Sequence, residues 1–317
     1  MGAKEILEFV KVEHTLFSLP FVLIGFILAQ HQFGSESMDI IWILVAAVGA
    51  RGLAMALNRI IDHDIDAANP RTASRHLPSG SMSMQTAWTL SAVFLAMLLG
   101  GAWMLNEVAL KMAWLPVLVF VVYPYTKRFT SLCHFWVGLC LGLAPAGAWV
   151  AVAADTHGWA SINGMLDGRT EFLWYPEIFF ISLGIVFWIA AFDVNYARMD
   201  VDADREQGIH SFPARYGSDA TRNLSVALII GWVACFFLTG LHDFSDQRAS
   251  RYMLWMPAVV LMAAANLYVM TKGADAAGES DAAMGRFQQT LFRASMLTGW
   301  VLLSSLVFVE SLIHGLD

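Results

Sequence analysis

Charged residues are scarce in this chain. They make up 14% of its 317 residues, whereas 57% are hydrophobic, and an average soluble domain carries about a quarter charged residues. The composition therefore excludes an ordinary soluble domain. The net charge is −7, so the chain also lacks the basic excess that marks nucleic-acid-binding proteins. We expect no nucleic-acid partner, and no pattern points to an obligate protein partner.

Cysteine and linker sequences are scarce as well. The three cysteines, Cys133, Cys140 and Cys235, stand in apolar runs without the paired spacing of a zinc site. We interpret them as small thiols buried in the membrane. No Pro-, Gly- or Ser-rich stretch divides the sequence, so we expect one membrane domain over residues 1–317.

Long apolar runs are abundant. A membrane-spanning helix needs about 20 mostly apolar residues. The candidate spans are 14–31, 39–58, 85–105, 108–126, 132–154, 177–198, 223–241, 252–271 and 294–313. We keep the first as a span because no small-residue cleavage site of a signal peptide follows it. The prediction is an all-α, multi-pass membrane protein with about nine transmembrane helices.

The basic residues lie mostly on one side of this predicted topology. The side of the N-terminus holds Lys4, Lys11, Arg59, Arg71, Arg75, Lys127, Arg128, Arg198, Arg205, Arg215, Arg222, Lys272, Arg286 and Arg293. The other side holds Lys111, Arg169, Arg248 and Arg251. Lys and Arg collect on the cytoplasmic side of membrane proteins. We therefore expect an inner-membrane protein with a cytoplasmic N-terminus.

Polar residues at four-residue spacing mark the connection after the second predicted span. Asn58, Asp62 and Asp66 follow one another at this interval, which places them on one stripe of a helix. We call residues 58–66 the first acidic segment. It lies on the predicted cytoplasmic side.

The connection after the sixth predicted span repeats the spacing. Tyr196, Asp200 and Asp204 form the stripe of a second acidic segment, residues 193–205, and Asp193 lies near the same face. Stacked carboxylates repel each other, so two such stripes facing one cavity need a cation. Carboxylate and amide oxygens suit Mg²⁺, which also bridges to phosphates. The predicted metal ligands are Asn58, Asp62, Asp66, Asp200 and Asp204.

Basic residues accompany both acidic segments, and the planar guanidinium of arginine matches phosphate oxygens. The predicted diphosphate-binding residues are Arg71, Arg75, Lys127, Arg128, Tyr196 and Arg205. Tyr196 has a second interpretation, packing as an interfacial aromatic. Acids for Mg²⁺, bases for anionic oxygens and an apolar body together predict a site for a lipid diphosphate that faces the cytoplasm.

These motifs resemble those of the UbiA superfamily of intramembrane prenyltransferases. The resemblance rests on residues 58–66, 71–80, 123–130 and 196–211. It implies helices around a central cavity and Mg²⁺-dependent transfer of a polyprenyl group from its diphosphate to an aromatic acid in quinone biosynthesis. The catalytic residues that it implies are Asp62, Asp66, Asp200 and Asp204.

Three departures bear on the acceptor. His76 and His210 stand where 4-hydroxybenzoate prenyltransferases usually have Pro and Lys, and residues 131–134 lack their Pro-Gln pair. Together with residues 13–17, 143–149 and 208–211, these features resemble a UbiA-like subgroup, some of whose members are assigned to menaquinone synthesis by the futalosine route. We favour 4-hydroxybenzoate as acceptor, with a dihydroxynaphthoate-type acid as the alternative.

Two further alternatives concern function and single residues. A transporter would place its acids near the membrane midplane, whereas these acids cluster at one face beside arginines, which favours the enzyme.

His14, His63 and His134 are either acid–base or acceptor-binding groups, or ordinary interfacial histidines.

Overall fold

The computed structural model describes residues 3–11, 13–163, 176–241, 253–276 and 280–314. Their helices are α1 (Ala3–Phe9), α2 (Glu13–Phe33), α3 (Asp39–Ile61), α4 (His63–Ala68), α5 (Met84–Leu105), α6 (Glu107–Met112), α7 (Trp114–Thr126), α8 (Cys133–His157), α9 (Ala160–Asn163), α10 (Pro176–Tyr196), α11 (Val201–Glu206), α12 (Phe212–Leu241), α13 (Met256–Ala276) and α14 (Asp281–His314). Short 3₁₀ turns occupy Ala197–Asp200 and Met253–Trp255. None of these residues forms a strand.

Nine helical stretches in the described part of the chain are long and apolar enough to cross a membrane. This confirms the predicted all-α, multi-pass fold and its number of spans. Three of the basic residues used to predict the orientation, Arg169, Arg248 and Arg251, lie outside the described residues. The cytoplasmic N-terminus stays a prediction.

Several helices differ from the predicted spans at their ends. The fourth span consists of α6 and α7, which meet at Ala113, and the side chain of Asn106 caps α6 by accepting from the Ala109 amide at 2.8 Å. Helix α12 begins at Phe212, well before the predicted 223, and has non-helical backbone at Gly217, with φ 81° and ψ −179°. A prediction from uncharged runs misses the start of such a helix, because its first turns contain charged residues.

The chain forms two compact units. Unit 1 comprises Met1–Arg128 and Leu143–Tyr175, and unit 2 comprises Phe129–Gly142 and Pro176–Asp317. The division passes through α8.

In unit 1, α3 packs along α5 through small residues. A Cβ added at Gly49 would lie 2.5 Å from the Leu98 backbone nitrogen, and one added at Gly101 would lie 2.7 Å from the Trp42 carbonyl oxygen. Small residues allow this close backbone approach between membrane helices. The packing fixes α3, whose last turn carries Asn58.

In unit 2, α10 packs along α12, and α13 packs along α14. Trp188 and Trp232 are almost fully buried on α10 and α12. Buried polar contacts join the other pair, because Asn266 Nδ2 donates to Thr298 Oγ1 at 2.7 Å. Helix α10 thereby holds the start of the second acidic segment in a packed core.

Candidate active site

The first acidic segment spans the junction between α3 and α4. Asp62 separates the two helices with φ −93° and ψ 9°. The helical hydrogen bonds nevertheless continue, since the Asp62 amide donates to the Asn58 carbonyl at 2.9 Å and the Asp66 amide donates to the Asp62 carbonyl at 2.7 Å. Asn58 Nδ2 also donates to Asp62 Oδ2 at 2.9 Å. The structure therefore brings Asn58 and Asp62 into direct contact.

Asp62 is the most deeply buried of these acids, with 1% of its surface exposed. Its Oδ2 lies 2.7 Å from Lys127 Nζ, and its Oδ1 lies 3.6 Å from Arg128 Nη2. Arg128 Nη2 is fixed in place because it donates to the Ile61 carbonyl at 2.7 Å. Burial raises the pKa of Asp62 above its ordinary value, and the nearby Lys127 opposes this rise.

One oxygen of this buried carboxylate has no hydrogen-bond donor. Asp62 Oδ1 accepts no hydrogen bond, although its atom surface is buried. An unsatisfied buried acceptor is costly. A carboxylate oxygen in this state fits a cation ligand.

Asp66 pairs with a different base. Arg75 Nη1 donates to both carboxylate oxygens, at 2.8 and 2.7 Å. The loop between them is folded locally, because Thr72 Oγ1 donates to the Asp66 carbonyl at 2.9 Å and Asn69 Oδ1 accepts from the Arg71 amide at 2.9 Å. The Arg71 side chain is exposed. The first acidic segment and the predicted bases Arg75, Lys127 and Arg128 thus form one cluster, which we call the acid–base cluster.

The second acidic segment lies in unit 2. Asp200 ends the 3₁₀ turn that follows α10, and Asp204 lies on α11; both are half-buried. The Tyr196 hydroxyl accepts a hydrogen bond from Gln288 Nε2. Arg205 is exposed, and its Nε donates to the Ala214 carbonyl at 3.0 Å. Polar contacts to α12 and α14 therefore hold this segment.

Arg198 is a buried residue of this segment that sequence reasoning counted only as a cytoplasmic base. Its Nε donates to Asn195 Oδ1 at 3.0 Å, and its Nη1 donates to Ser218 Oγ at 2.6 Å. Asn195 Nδ2 in turn donates to Ser225 Oγ at 2.7 Å. Arg198 thus anchors the segment to α12, and its position between Tyr196 and Asp200 is the only sequence signal that indicates this.

The three candidate histidines differ in what the structure shows of their surroundings. His63 lies beside the exposed Asp64, with Nδ1 and Oδ1 2.9 Å apart. His134 is buried and contacts Asp193 and the Phe212 amide, both in unit 2. The side chain of His14 lies outside the described residues.

No group of three or more His, Cys, Asp or Glu side chains comes together as a metal site within the described ranges. In the acid–base cluster, Lys127 and Arg75 occupy the two carboxylates instead. The donor types still fit Mg²⁺, since an amide oxygen and two carboxylates, one of which carries the unsatisfied Asp62 Oδ1, supply hard oxygen ligands. The predicted ligand set stays a prediction.

The chain is similar in sequence to a family of known proteins. The UbiA prenyltransferase family model matches residues 18–295. A 4-hydroxybenzoate octaprenyltransferase from Shewanella woodyi is 24% identical over 276 residues, covering 83% of this chain and 80% of its own length. One from Vibrio atlanticus is 29% identical over 210 residues, covering 66% and 67%.

The fold of the chain is similar to that of solved structures. The apo structure of a UbiA homolog from Aeropyrum pernix K1 has a TM-score of 0.71 and 29% identity, covering 93% of this chain and 98% of its own. A UbiA homolog from Archaeoglobus fulgidus bound to GPP and Mg²⁺ shares the fold, with a TM-score of 0.63 and 16% identity over 95% and 99% of the two chains. The chain is an integral membrane prenyltransferase and belongs to the UbiA prenyltransferase family.

Proposed function

We propose that this enzyme transfers a polyprenyl group from a polyprenyl diphosphate to 4-hydroxybenzoate, with Mg²⁺. The relatives named 4-hydroxybenzoate octaprenyltransferase support the acceptor. The Archaeoglobus fulgidus structures with GPP and Mg²⁺ or with DMAPP and Mg²⁺ support the donor and the metal.

The acid–base cluster is the observation that carries this proposal. It holds two buried carboxylates, Asp62 and Asp66, and each lies within 2.7 Å of a base. A magnesium diphosphate supplies a cation for such acids and anionic oxygens for such bases. We propose that Mg²⁺ is held by Asn58, Asp62, Asp66, Asp200 and Asp204.

The bases then act on the leaving group. Lys127 and Arg75 exchange their carboxylate partners for oxygens of the diphosphate, and Arg71, Arg128, Arg205 and the Tyr196 hydroxyl add further donors. The bond between the prenyl carbon and the diphosphate oxygen breaks, and pyrophosphate leaves with the electron pair. When bound, Mg²⁺ neutralises charge that develops on this leaving group.

The allylic cation that remains reacts with the acceptor. The aromatic ring supplies an electron pair and forms the new carbon–carbon bond. The ring then loses a proton to a carboxylate of the first acidic segment. The products are the prenylated acid, pyrophosphate and the transferred proton.

Product identification tests this proposal. Purified protein in lipid is given Mg²⁺, a polyprenyl diphosphate and either 4-hydroxybenzoate or 1,4-dihydroxy-6-naphthoate, and the products are analysed by mass spectrometry. We expect prenylated 4-hydroxybenzoate and an equal amount of pyrophosphate. Prenylation of the naphthoate alone would overturn the acceptor, and the absence of any prenylated aromatic product would overturn the reaction.

A further inference from the structure

His134 makes two directed contacts within unit 2. Its Nδ1 lies 2.7 Å from Asp193 Oδ2, and its Nε2 accepts the Phe212 amide N–H at 3.0 Å. A backbone amide can only donate, so Nε2 carries no proton and Nδ1–H donates to Asp193. Both nitrogens of this buried imidazole, which is 3% exposed, are therefore used.

Two glycines bring His134 within reach of α10. Gly138 and Gly142 follow it at four-residue intervals on α8. A Cβ at Gly138 would lie 2.3 Å from the Val186 carbonyl oxygen, and one at Gly142 would lie 2.9 Å from the Ser182 carbonyl oxygen. As the residue number rises along α8 it falls along α10, so the helices run antiparallel in close contact. His134 lies at the end of this seam, opposite Asp193.

The two contacts flank the predicted metal ligands Asp200 and Asp204 of the second acidic segment. Asp193 lies seven residues before Asp200, and Phe212 lies eight residues after Asp204. The Phe212 amide is in the first turn of α12, where backbone N–H groups lack a helical partner. One imidazole thus binds the first residue of the segment and the chain that follows its end.

The end of the segment that carries Asp204 needs such external anchors because α11 packs weakly. Helix α11, which carries Asp204, has no buried residue. A six-residue helix without a buried face is not stable by itself. The direction of its carboxylates therefore depends on how its ends are held, by His134 together with Arg198 and Arg205.

We propose that His134 is a positioning residue that sets the geometry of Asp200 and Asp204 for the metal–diphosphate complex. This inference rests on the proposed function. His134 itself touches neither donor nor acceptor in this proposal. Its loss weakens metal and prenyl-diphosphate binding more than it lowers the maximal rate.

Two substitutions distinguish the contact of His134 with Asp193 from its contact with Phe212. In His134→Gln, the side-chain amide reaches as far as Nε2, so it can donate to Asp193 and accept from Phe212. In His134→Asn, the shorter amide reaches as far as Nδ1, so it keeps Asp193 and releases Phe212. The matched control is His157→Asn, at the opposite end of α8 and in unit 1.

The primary readout is binding of Mn²⁺, measured by electron paramagnetic resonance with geranyl thiolodiphosphate, which does not react. We expect His134→Asn to bind Mn²⁺ about tenfold more weakly than wild type, as for the loss of one net hydrogen bond. We expect His134→Gln and His157→Asn to match wild type. In assays, the KM for prenyl diphosphate rises in His134→Asn and is restored in His134→Gln.

Three results would overturn the inference. They are wild-type Mn²⁺ affinity in His134→Asn, equal weakening in the Gln and Asn variants, or a loss confined to kcat. Thermal unfolding checks that each variant is folded. Product formation by the wild type tests the proposed function separately, so its failure is distinguishable from failure of this inference.

Discussion

At the scale of single residues, burial and a neighbouring charge have opposite effects on the pKa of Asp62. Burial raises the pKa of this carboxyl, whereas Lys127 at 2.7 Å lowers it. A carboxyl group must be ionised to serve as a magnesium ligand. Lys127 therefore favours the ionised carboxylate that metal binding requires.

The first prediction follows from this balance. Lys127→Met removes the effect that lowers the pKa of Asp62, so the pKa rises further and more of the carboxyl is protonated at a given pH. We expect the acid limb of the profile of kcat/KM against pH to move to higher pH. The control is Lys111→Met, an exposed lysine on α6 whose partner is Glu107. An unmoved limb, or one moved to lower pH, would contradict the prediction.

The second prediction concerns Asp66 and Arg75. The Arg75 side chain is 29% exposed and that of Asp66 is 7% exposed, so we expect Arg75→Gln to lower the free energy of unfolding by about 1–3 kcal/mol, less than for a fully buried pair. Adding Asp66→Asn removes the unpaired charge and restores part of the stability. Turnover stays low because a metal ligand is lost. Thermal unfolding and turnover are measured for the single and the double variant. If the double variant recovered both stability and turnover, the pair would have only a structural role, which would contradict the prediction.

The residue types of the acid–base cluster are predictable from sequence, but their pairing is not. Four-residue spacing identifies Asp62 and Asp66 as neighbours on a helix. It does not show that Lys127 pairs with the first and Arg75 with the second, because such pairing depends on tertiary contacts. His134 illustrates the same limit, since its partners lie 59 and 78 residues away in the chain.

At the scale of helices, apolar runs predict the number of spans well and their ends poorly. Helix α14 begins at Asp281 although the predicted span begins at 294. Its polar first turns interrupt the uncharged run without interrupting the backbone hydrogen bonds. The break at Gly217 is likewise not visible in hydropathy, since it depends on a backbone conformation that glycine adopts easily.

The third prediction uses two glycines of α8. A Cβ at Gly138 would lie 2.3 Å from the Val186 carbonyl oxygen, whereas one at Gly147 would meet nothing within 4 Å. We expect Gly138→Ala to destabilise the protein by about 1–3 kcal/mol through overpacking. Gly147→Ala is expected to be neutral or slightly stabilising. Thermal unfolding in one detergent measures both, and equal effects would contradict close packing of α8 on α10.

At the scale of the whole molecule, the family match covers both compact units. The matched range is residues 18–295, and both unit 1 and unit 2 contribute residues to it. We therefore propose that both units belong to one catalytic domain, with one acidic segment in each. Neither unit alone carries the complete predicted ligand set.

The fourth prediction concerns orientation in the membrane. The distribution of basic residues predicts that both acidic segments face the cytoplasm. In a cysteine-free background, we expect Asp64→Cys and Asp202→Cys to react with a membrane-impermeant maleimide only after spheroplasts are permeabilised. Glu107→Cys, on the predicted outer side, reacts without permeabilisation. The reverse pattern would contradict the topology.

Turnover of matched acid variants tests the central claim, Mg²⁺-dependent prenyl transfer, most directly. Pyrophosphate release with polyprenyl diphosphate and 4-hydroxybenzoate is measured for Asp62→Asn and Asp200→Asn, beside Asp64→Asn and Asp202→Asn as controls in the same segments. Asp64 and Asp202 have exposed side chains. We predict that the first two variants lose about 100-fold or more in kcat/KM, that the controls stay near wild type, and that chelation of Mg²⁺ abolishes turnover. Full turnover in Asp62→Asn and Asp200→Asn, or turnover without a divalent metal, would contradict the account.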